Sequence, residues 1–216
     1  MTMYQFTCLL LVLFLLTGCS SKTETVEVKN DAGVVTEVYT RNKKDFSKEG
    51  VYKAYDSEGK ITEEAIYKNN ELDGVRKLYF ESGALRSTET YRNGMFEGEF
   101  VSYDTAGNKS LVGKYVNNEM TGEWQRFYAN GQLMEKVMFA DNEENGPFIE
   151  YYENGKLKAE GKYKGGDQEN GELLLYNENG ELERKMDCDL GRCVTTWRSE
   201  ALIQKEKEEK ENESKM

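Results

Sequence analysis

The sequence predicts an all-β protein, an elongated antiparallel array of tandem β-hairpins that ends in a polar, disordered C-terminal tail. Two observations predict it. A unit that opens on glycine recurs six times, at Gly50, Gly74, Gly98, Gly122, Gly146 and Gly171, spaced by 24 residues four times and then by 25. Repeats of this length mark arrays in which each unit buries its apolar face only against its neighbours. The chain is also lean: 38% of its 216 residues are hydrophobic. That is too few for one deep core and suits a layered structure.

The clearest unit is Gly122 to Phe139, GEWQRFYANGQLMEKVMF. Five residues after each opening glycine stands an aromatic: Tyr55, Tyr79, Tyr103, Phe127, Tyr151 and Tyr176. A second glycine follows polar or small residues, at Gly59, Gly83, Gly107, Gly131, Gly155 and Gly180. Glycine accepts positive φ cheaply, so a short loop ending in it is a strong hairpin signal. A further aromatic closes most units, at Tyr67, Tyr91, Tyr115, Phe139 and Tyr163. The strand after the turn alternates, as in Leu133, Val137 and Phe139. The strand before it alternates less well, since Trp124 and Phe127 are both apolar; a bulge or a strong twist there would account for this. The links Asn69-Asn70, Asn93-Gly94, Asn117-Asn118, Asp141-Asn142 and Gly165-Gly166 reverse the chain again. Six hairpins give about twelve strands, and at roughly 4.8 Å per strand an array on the order of 60 Å long. The two sets of aromatics are expected to form one core ladder, each ring hiding roughly 150–250 Å².

The ends depart from the unit. Residues 26–49 read as a degenerate first repeat capping the six repeats of residues 50–187, with a turn at Asp31-Ala32-Gly33 between Val26 and Tyr39. Residues 188–197 read as a terminal hairpin that protects the open sheet edge. Cys188 and Cys193 flank its turn and are expected to pair as a disulfide in an oxidising compartment. Two cysteines without a histidine make a poor zinc site. Residues 198–216 are dense in charge with no apolar stripe, and disorder is expected past Gln204.

At the other end, Cys8 to Leu16 is continuously apolar, too short to span a bilayer but suited to a signal-peptide core. Leu16-Thr17-Gly18-Cys19 resembles the bacterial lipoprotein lipobox. That resemblance implies removal of residues 1–18, lipid on Cys19, a tether over residues 19–25 and anchorage in the bacterial cell envelope, on its periplasmic or surface face. Residues 1–18 lack Lys and Arg, a departure from the usual signal. An ordinary cleaved signal or an uncleaved anchor is the other reading.

The formal net charge of −11 argues against nucleic-acid partners and against a polybasic membrane patch, leaving lipid as the means of attachment. With no histidine, Ser-His-Asp and Cys-His chemistry is excluded, and no phosphate-cradling glycine motif is present. The expectation is a non-enzymatic protein with no catalytic residue, cofactor or resident metal. The acidic stretches Asp141 to Gly146 and Asp167 to Gly171 read as solvated turns, with loose Ca²⁺ binding as the other reading. Trp124 and Trp197 are candidates for an interface, but Trp124 takes the position held by Tyr52, Phe100 and Phe148 in other units, which favours packing.

Units such as GEFVSYDTAGNKSLVGKYVNNEMTG and GPFIEYYENGKLKAEGKYKGG resemble the MORN-variant repeat over residues 50–187. The resemblance implies a scaffold or binding surface rather than a reaction. Some bacterial proteins with such repeats are antitoxin components. The expected function is a surface for a protein or glycan partner; an antitoxin or immunity role and a structural envelope spacer are the alternatives.

Overall fold

Each glycine-opened unit folds as a β-hairpin, and the hairpins join edge to edge in one open antiparallel sheet of 16 strands. The computed structural model describes residues 21–214; the apolar run of residues 8–16 and Cys19 lie outside the described residues. The strands of the N-terminal half are β1 (Thr23–Lys29), β2 (Val35–Asn42), β3 (Lys48–Tyr55), β4 (Ile61–Lys68), β5 (Glu71–Leu72), β6 (Gly74–Tyr79), β7 (Leu85–Arg92) and β8 (Met95–Tyr103). Those of the C-terminal half are β9 (Lys109–Val116), β10 (Glu119–Phe127), β11 (Leu133–Ala140), β12 (Glu143–Tyr151), β13 (Leu157–Tyr163), β14 (Gly171–Tyr176), β15 (Leu182–Asp189) and β16 (Arg192–Arg198). Spatial order follows sequence order, with the two-residue β5 paired off the path to β4. Strands β1, β2 and β16 and the short β5 join the same sheet, which carries it past the twelve strands counted from the repeats; the terminal hairpin expected over residues 188–197 takes its first arm from β15, a strand of the sixth repeat.

The hairpins share one turn and one irregularity. In the clearest unit, Tyr128 N–H donates to the Gln132 carbonyl and Gly131 N–H to the Tyr128 carbonyl, both at 2.9 Å. Just before the turn the register slips between Arg126 and Phe127, and it slips at the same place at Ala54/Tyr55, Leu78/Tyr79, Ser102/Tyr103, Glu150/Tyr151 and Leu175/Tyr176. Up to that bulge, strand alternation is kept. Trp124 and Phe127 therefore lie on opposite faces.

This corrects the single aromatic ladder. Tyr55, Tyr79, Phe127, Tyr151 and Tyr176 turn to one face, opposite Ile61, Leu85, Leu133, Leu157 and Leu182. There the hydroxyls of Tyr79 and Tyr176 donate to Glu64 and Glu160 at 2.8 and 2.5 Å. Tyr67, Tyr91, Tyr115, Phe139 and Tyr163 lie on the other face, and neither set forms the buried centre. The buried centre holds the residue two places after the last three opening glycines, Trp124, Phe148 and Leu173, at 1, 3 and 7% exposure.

Consecutive units are laced at both ends. Asn70, Asn118 and Asn142 adopt left-handed φ of 68, 69 and 67°. Their Oδ1 atoms accept from the backbone N–H of Lys48, Phe96 and Met120 at 2.7, 2.8 and 2.8 Å, 22 residues back. Their own N–H groups donate to the carbonyls of the same three residues. At the hairpin turns, the Tyr128 and Tyr152 hydroxyls donate forward to the Tyr151 and Tyr176 carbonyls at 2.8 and 2.7 Å.

The tail also departs from expectation. Residues past Gln204 belong to a helix, α1 (Glu200–Glu213), rather than to a disordered segment. Ser199 Oγ caps it, accepting from Leu202 N–H at 3.2 Å. Leu202 is buried. Glu206 takes Arg184 at 3.2 Å and Arg198 at 2.7 Å, two side chains that face each other across β15–β16. One buried leucine and one doubly paired carboxylate thus hold a helix that has no apolar stripe.

Candidate interaction surface

The buried face is built from one rung that runs across the sheet. Cross-strand pairing sets Tyr52 against Ala65, Arg76 against Glu89, Phe100 against Gly113, Trp124 against Val137 and Phe148 against Gly161. Except at Arg76–Glu89, a large side chain alternates with a small one, so each ring can lie over its small neighbour. A single-layer sheet has no second layer to cover it, and here its own rings do so. Trp124 lies 5.8 Å from Phe100, 5.2 Å from Tyr115 and 5.9 Å from Phe139 between ring centroids.

A second row on the same face is only half-buried. Tyr67, Tyr91, Tyr115, Phe139 and Tyr163 pair across with Leu72, Phe96, Met120, Glu144 and Glu169. Phe96 sits between Tyr91 and Tyr115 at 4.5 and 4.3 Å, and Phe148 stacks on Tyr163 at 4.1 Å. At the N-terminal end, Lys48 Nζ stands over the rings of Tyr39, Tyr52 and Tyr67 at 4.8, 4.4 and 5.3 Å.

Two polar groups interrupt the rings. In the N-terminal half, Arg76 reaches Glu63 at 2.7 Å and Glu89 at 3.3 Å. Glu89, 8% exposed, also accepts from the Tyr91 hydroxyl at 3.1 Å and from Ser87 Oγ at 3.3 Å. The hydrogen bond to Glu63 holds the Arg76 guanidinium even more firmly charged than usual, against the cost of burial.

The C-terminal half lacks such an arginine. Glu135 occupies the repeat position of Glu63, but the counterpart of Arg76 there is Phe148. Glu135, with a side chain 13% exposed, faces Arg126 across β10–β11 and Glu150 across β11–β12, and it meets Arg126 Nη1 only at 3.8 Å. Burial pushes its carboxyl above the usual range; Arg126 opposes this and Glu150 adds to it. Burial, with the charges of Glu135 and Asp167, raises Glu144 too. The Tyr163 hydroxyl is pushed up by burial and then by Glu150, Glu144, Glu135 and Glu169. Carboxylates and aromatic rings thus share one surface.

Two adjoining hollows open here. One of about 240 Å³ is lined by Arg126, Met134, Glu135, Glu150 and Lys158, among others. The other, of about 50 Å³, lies among Leu111, Met120, Trp124, Arg126, Glu135, Val137 and Phe139.

The remaining candidates fall elsewhere. Cys188 and Cys193 are directly paired across β15–β16 and form a disulfide with Cα atoms 4.0 Å apart. Trp124 packs, whereas Trp197 is 43% exposed on the edge strand β16. Asp141 and Asn142 are left-handed turn residues, and among the described residues no group of three or more His, Cys, Asp or Glu is placed to hold a metal ion. The opening glycines Gly50, Gly74, Gly98 and Gly146 sit where a Cβ would press on Thr40, Ile66, Thr90 and Met138 of the preceding strand. The turn glycines Gly59, Gly83, Gly107 and Gly131 face open space. Sequence reading missed Arg76, Glu89 and Glu135. The first two carried a signal, since they stand where other units place an aromatic and a small residue.

The fold defines a class: a tandem β-hairpin repeat protein with one aromatic, half-exposed face. Within it, residues 48–69, 72–93, 120–141 and 144–164 each match the MORN repeat variant, so the chain carries four such repeats. The segment between the second and third matches folds as the same hairpin, β8–β9. MORN repeats generally mediate protein or membrane interactions. No curated protein matches the chain.

Proposed function

We propose that this chain is a non-enzymatic, lipid-anchored protein of the bacterial cell envelope that presents its ringed face to a protein or glycan partner. The observation that carries the reading is the half-buried row from Tyr67 to Tyr163, whose rings alternate with Leu72, Phe96, Met120, Glu144 and Glu169 on paired strands. Apolar side chains left half-exposed in a continuous row, with carboxylates among them, favour binding over storage of a core. Anchorage rests on the lipobox-like Leu16-Thr17-Gly18-Cys19. Among the described residues no helix is long and apolar enough to cross a membrane.

The test is affinity capture from crosslinked envelopes of the native host, with bait starting at Ser20 and a matched bait carrying Arg126→Ala and Glu144→Lys. A stoichiometric partner retained by the first bait and lost by the second supports the reading. A small basic toxin in that place would turn it toward immunity. Absence of any specific partner leaves only a spacer. Labelling with a radioactive fatty acid, abolished by Cys19→Ser, checks the anchor; labelling that survives the substitution removes it.

A further inference from the structure

The return between β2 and β3 differs from those inside the repeats. There asparagine, aspartate or glycine takes the left-handed positions; here Phe46 does, at a φ of 61°. That conformation is uphill for a bulky residue, and the ring stays 61% exposed, so burial does not offset it. The loop itself is fixed. Phe46 N–H donates to the Asn42 carbonyl at 3.0 Å, and Asn42 N–H to the Ser47 carbonyl at 2.9 Å. Ser47, 7% exposed, donates its N–H and its Oγ–H to Asp45 Oδ1 at 3.0 and 2.6 Å. Arg41, held by Glu24 at 2.8 Å, stands 4.8 Å from the centre of the Phe46 ring. A closed turn thus presents an apolar side chain to the outside.

Cations flank it. Lys22, Lys43 and Lys44 are exposed, and Lys43 N–H donates to the Lys22 carbonyl at 3.0 Å, which ties the start of β1 to this loop. Among the described residues none of the three pairs with a carboxylate, whereas Lys48 and Lys53 are taken by Glu37 and Glu64. The neighbouring carboxylates are engaged, Glu24 by Arg41 and Asp45 by Ser47. Farther along the same long side of the sheet the returns are acidic, with Glu71, Glu119 and Glu143 exposed.

Resting on the lipid-anchor reading above, we propose that the β2–β3 loop is a membrane contact of the anchored protein. Phe46 enters the boundary between headgroups and acyl chains, and Lys22, Lys43 and Lys44 meet the phosphates of an anionic lipid surface. Two observations select a bilayer over a protein. Only Ser20 and Ser21 separate Cys19 from Lys22, so a lipid on Cys19 keeps this loop within about 10 Å of the surface. The positive charge is also local, on a chain whose net charge is −11. One acyl signal joined by a cationic cluster holds more firmly than the acyl signal alone. The acidic returns are repelled by the same surface. The array therefore stands on its β1–β3 end with the later hairpins lifted away, which leaves the ringed face open to a partner.

The experiment uses the full chain, expressed in a bacterium, extracted in detergent and reconstituted in vesicles. One set is phosphatidylcholine; the other is phosphatidylcholine and phosphatidylglycerol in equal parts. Both carry bromine on the acyl chains to quench tryptophan. Phe46→Trp places an indole in the loop, on an exposed position that leaves the fold intact. Ala32→Trp places one in the exposed β1–β2 turn, on the opposite long side. Trp124 and Trp197 give both variants the same background. Both variants should float with both vesicle types. Phe46→Trp emission should be blue-shifted and quenched on the anionic vesicles, and that of Ala32→Trp neither. Each lysine near an anionic surface is worth roughly a fivefold gain in local concentration. Lys43→Glu with Lys44→Glu, added to Phe46→Trp, should therefore cut the quenching by about fivefold or more, with thermal stability unchanged. Protein that floats while Phe46→Trp emission stays unshifted and unquenched overturns the loop contact and leaves the anchor standing. Protein that floats with neither vesicle type overturns anchor and loop together. Unquenched emission, with loss on Phe46→Ser of the partner retained in capture, assigns the loop to a protein interface and overturns the proposal.

Discussion

The indole of Trp124 lies directly on Gly113, its neighbour across β9–β10, so closely that a Cβ built on that glycine would stand 2.1 Å from the ring. The glycine serves as the missing side chain into which the tryptophan packs. Its φ lies outside the left-handed region, so the demand is for space and not for backbone freedom.

Gly113→Ala is therefore expected to destabilise by overpacking, by about 1–3 kcal/mol, as read by urea denaturation. Trp124→Leu in the same chain should recover part of that loss, giving a coupling term in a double-mutant cycle. Additive losses would show that the ring does not depend on Gly113.

Arg76 offers a test of buried charge. Removing it by Arg76→Met leaves Glu89 buried and Glu63 without its guanidinium, which should cost about 3–5 kcal/mol. Replacing the set by residues used elsewhere in the array, as Arg76→Phe, Glu89→Gly and Glu63→Leu together, should restore stability to near the parent. That pattern follows because a buried ion pair is costly mainly when half of it is removed. A triple variant as unstable as Arg76→Met would show that the network is required in its own right.

Much of this fold was legible because the repeat writes the same turn six times. Glycine spacing located the six hairpins of the repeats, and Asn69-Asn70 or Asn117-Asn118 marked the returns. The faces were harder to read. Trp124 and Phe127 look like one broken apolar stripe, and only the bulge after Arg126 shows that each serves a different face. Helix α1 depends on Arg184 and Arg198 converging on Glu206, a meeting across strands that no local pattern encodes. The site around Glu135 was hidden for a similar reason. Its character comes from Glu150 on the next strand and from the absence of an arginine that Glu63 possesses.

The asparagine clasp predicts a graded response. Asn118 holds a left-handed φ of 69° and accepts from Phe96 N–H at 2.8 Å. Asn118→Gly keeps the backbone at ease and loses one hydrogen bond, for a cost of about 0.5–1.5 kcal/mol. Asn118→Ala adds the left-handed penalty of about 1–2 kcal/mol. Hydrogen exchange at the Phe96 amide should quicken in both. Equal stability of the two variants would mean that the conformation carries no strain.

Glu135 sets a pH dependence whose sign is opposite to that of most carboxylates. Burial raises its pKa in the folded protein, so between the ordinary glutamate value and that raised value the folded state holds more protons than the unfolded. Stability should fall as pH rises through that window, with the penalty complete above the folded pKa and absent below the unfolded one. Glu135→Gln removes a carboxylate that burial, together with Glu150, disfavours more than Arg126 supports, and at neutral pH it should stabilise by about 0.2–1 kcal/mol, the size of a cross-strand pair contribution. The gain should vanish in acid. Glu64 provides the contrast: hydrogen bonds from Lys53 and Tyr79 lower its pKa. Its contribution is present above the ordinary glutamate value and lost as pH falls through the folded one. Denaturation midpoints of the two Gln variants, followed from pH 3 to pH 8 in roughly one-unit steps that bracket the ordinary glutamate value, should therefore diverge from the parent in opposite directions. If Glu135→Gln destabilises at neutral pH, the carboxylate is satisfied by a partner.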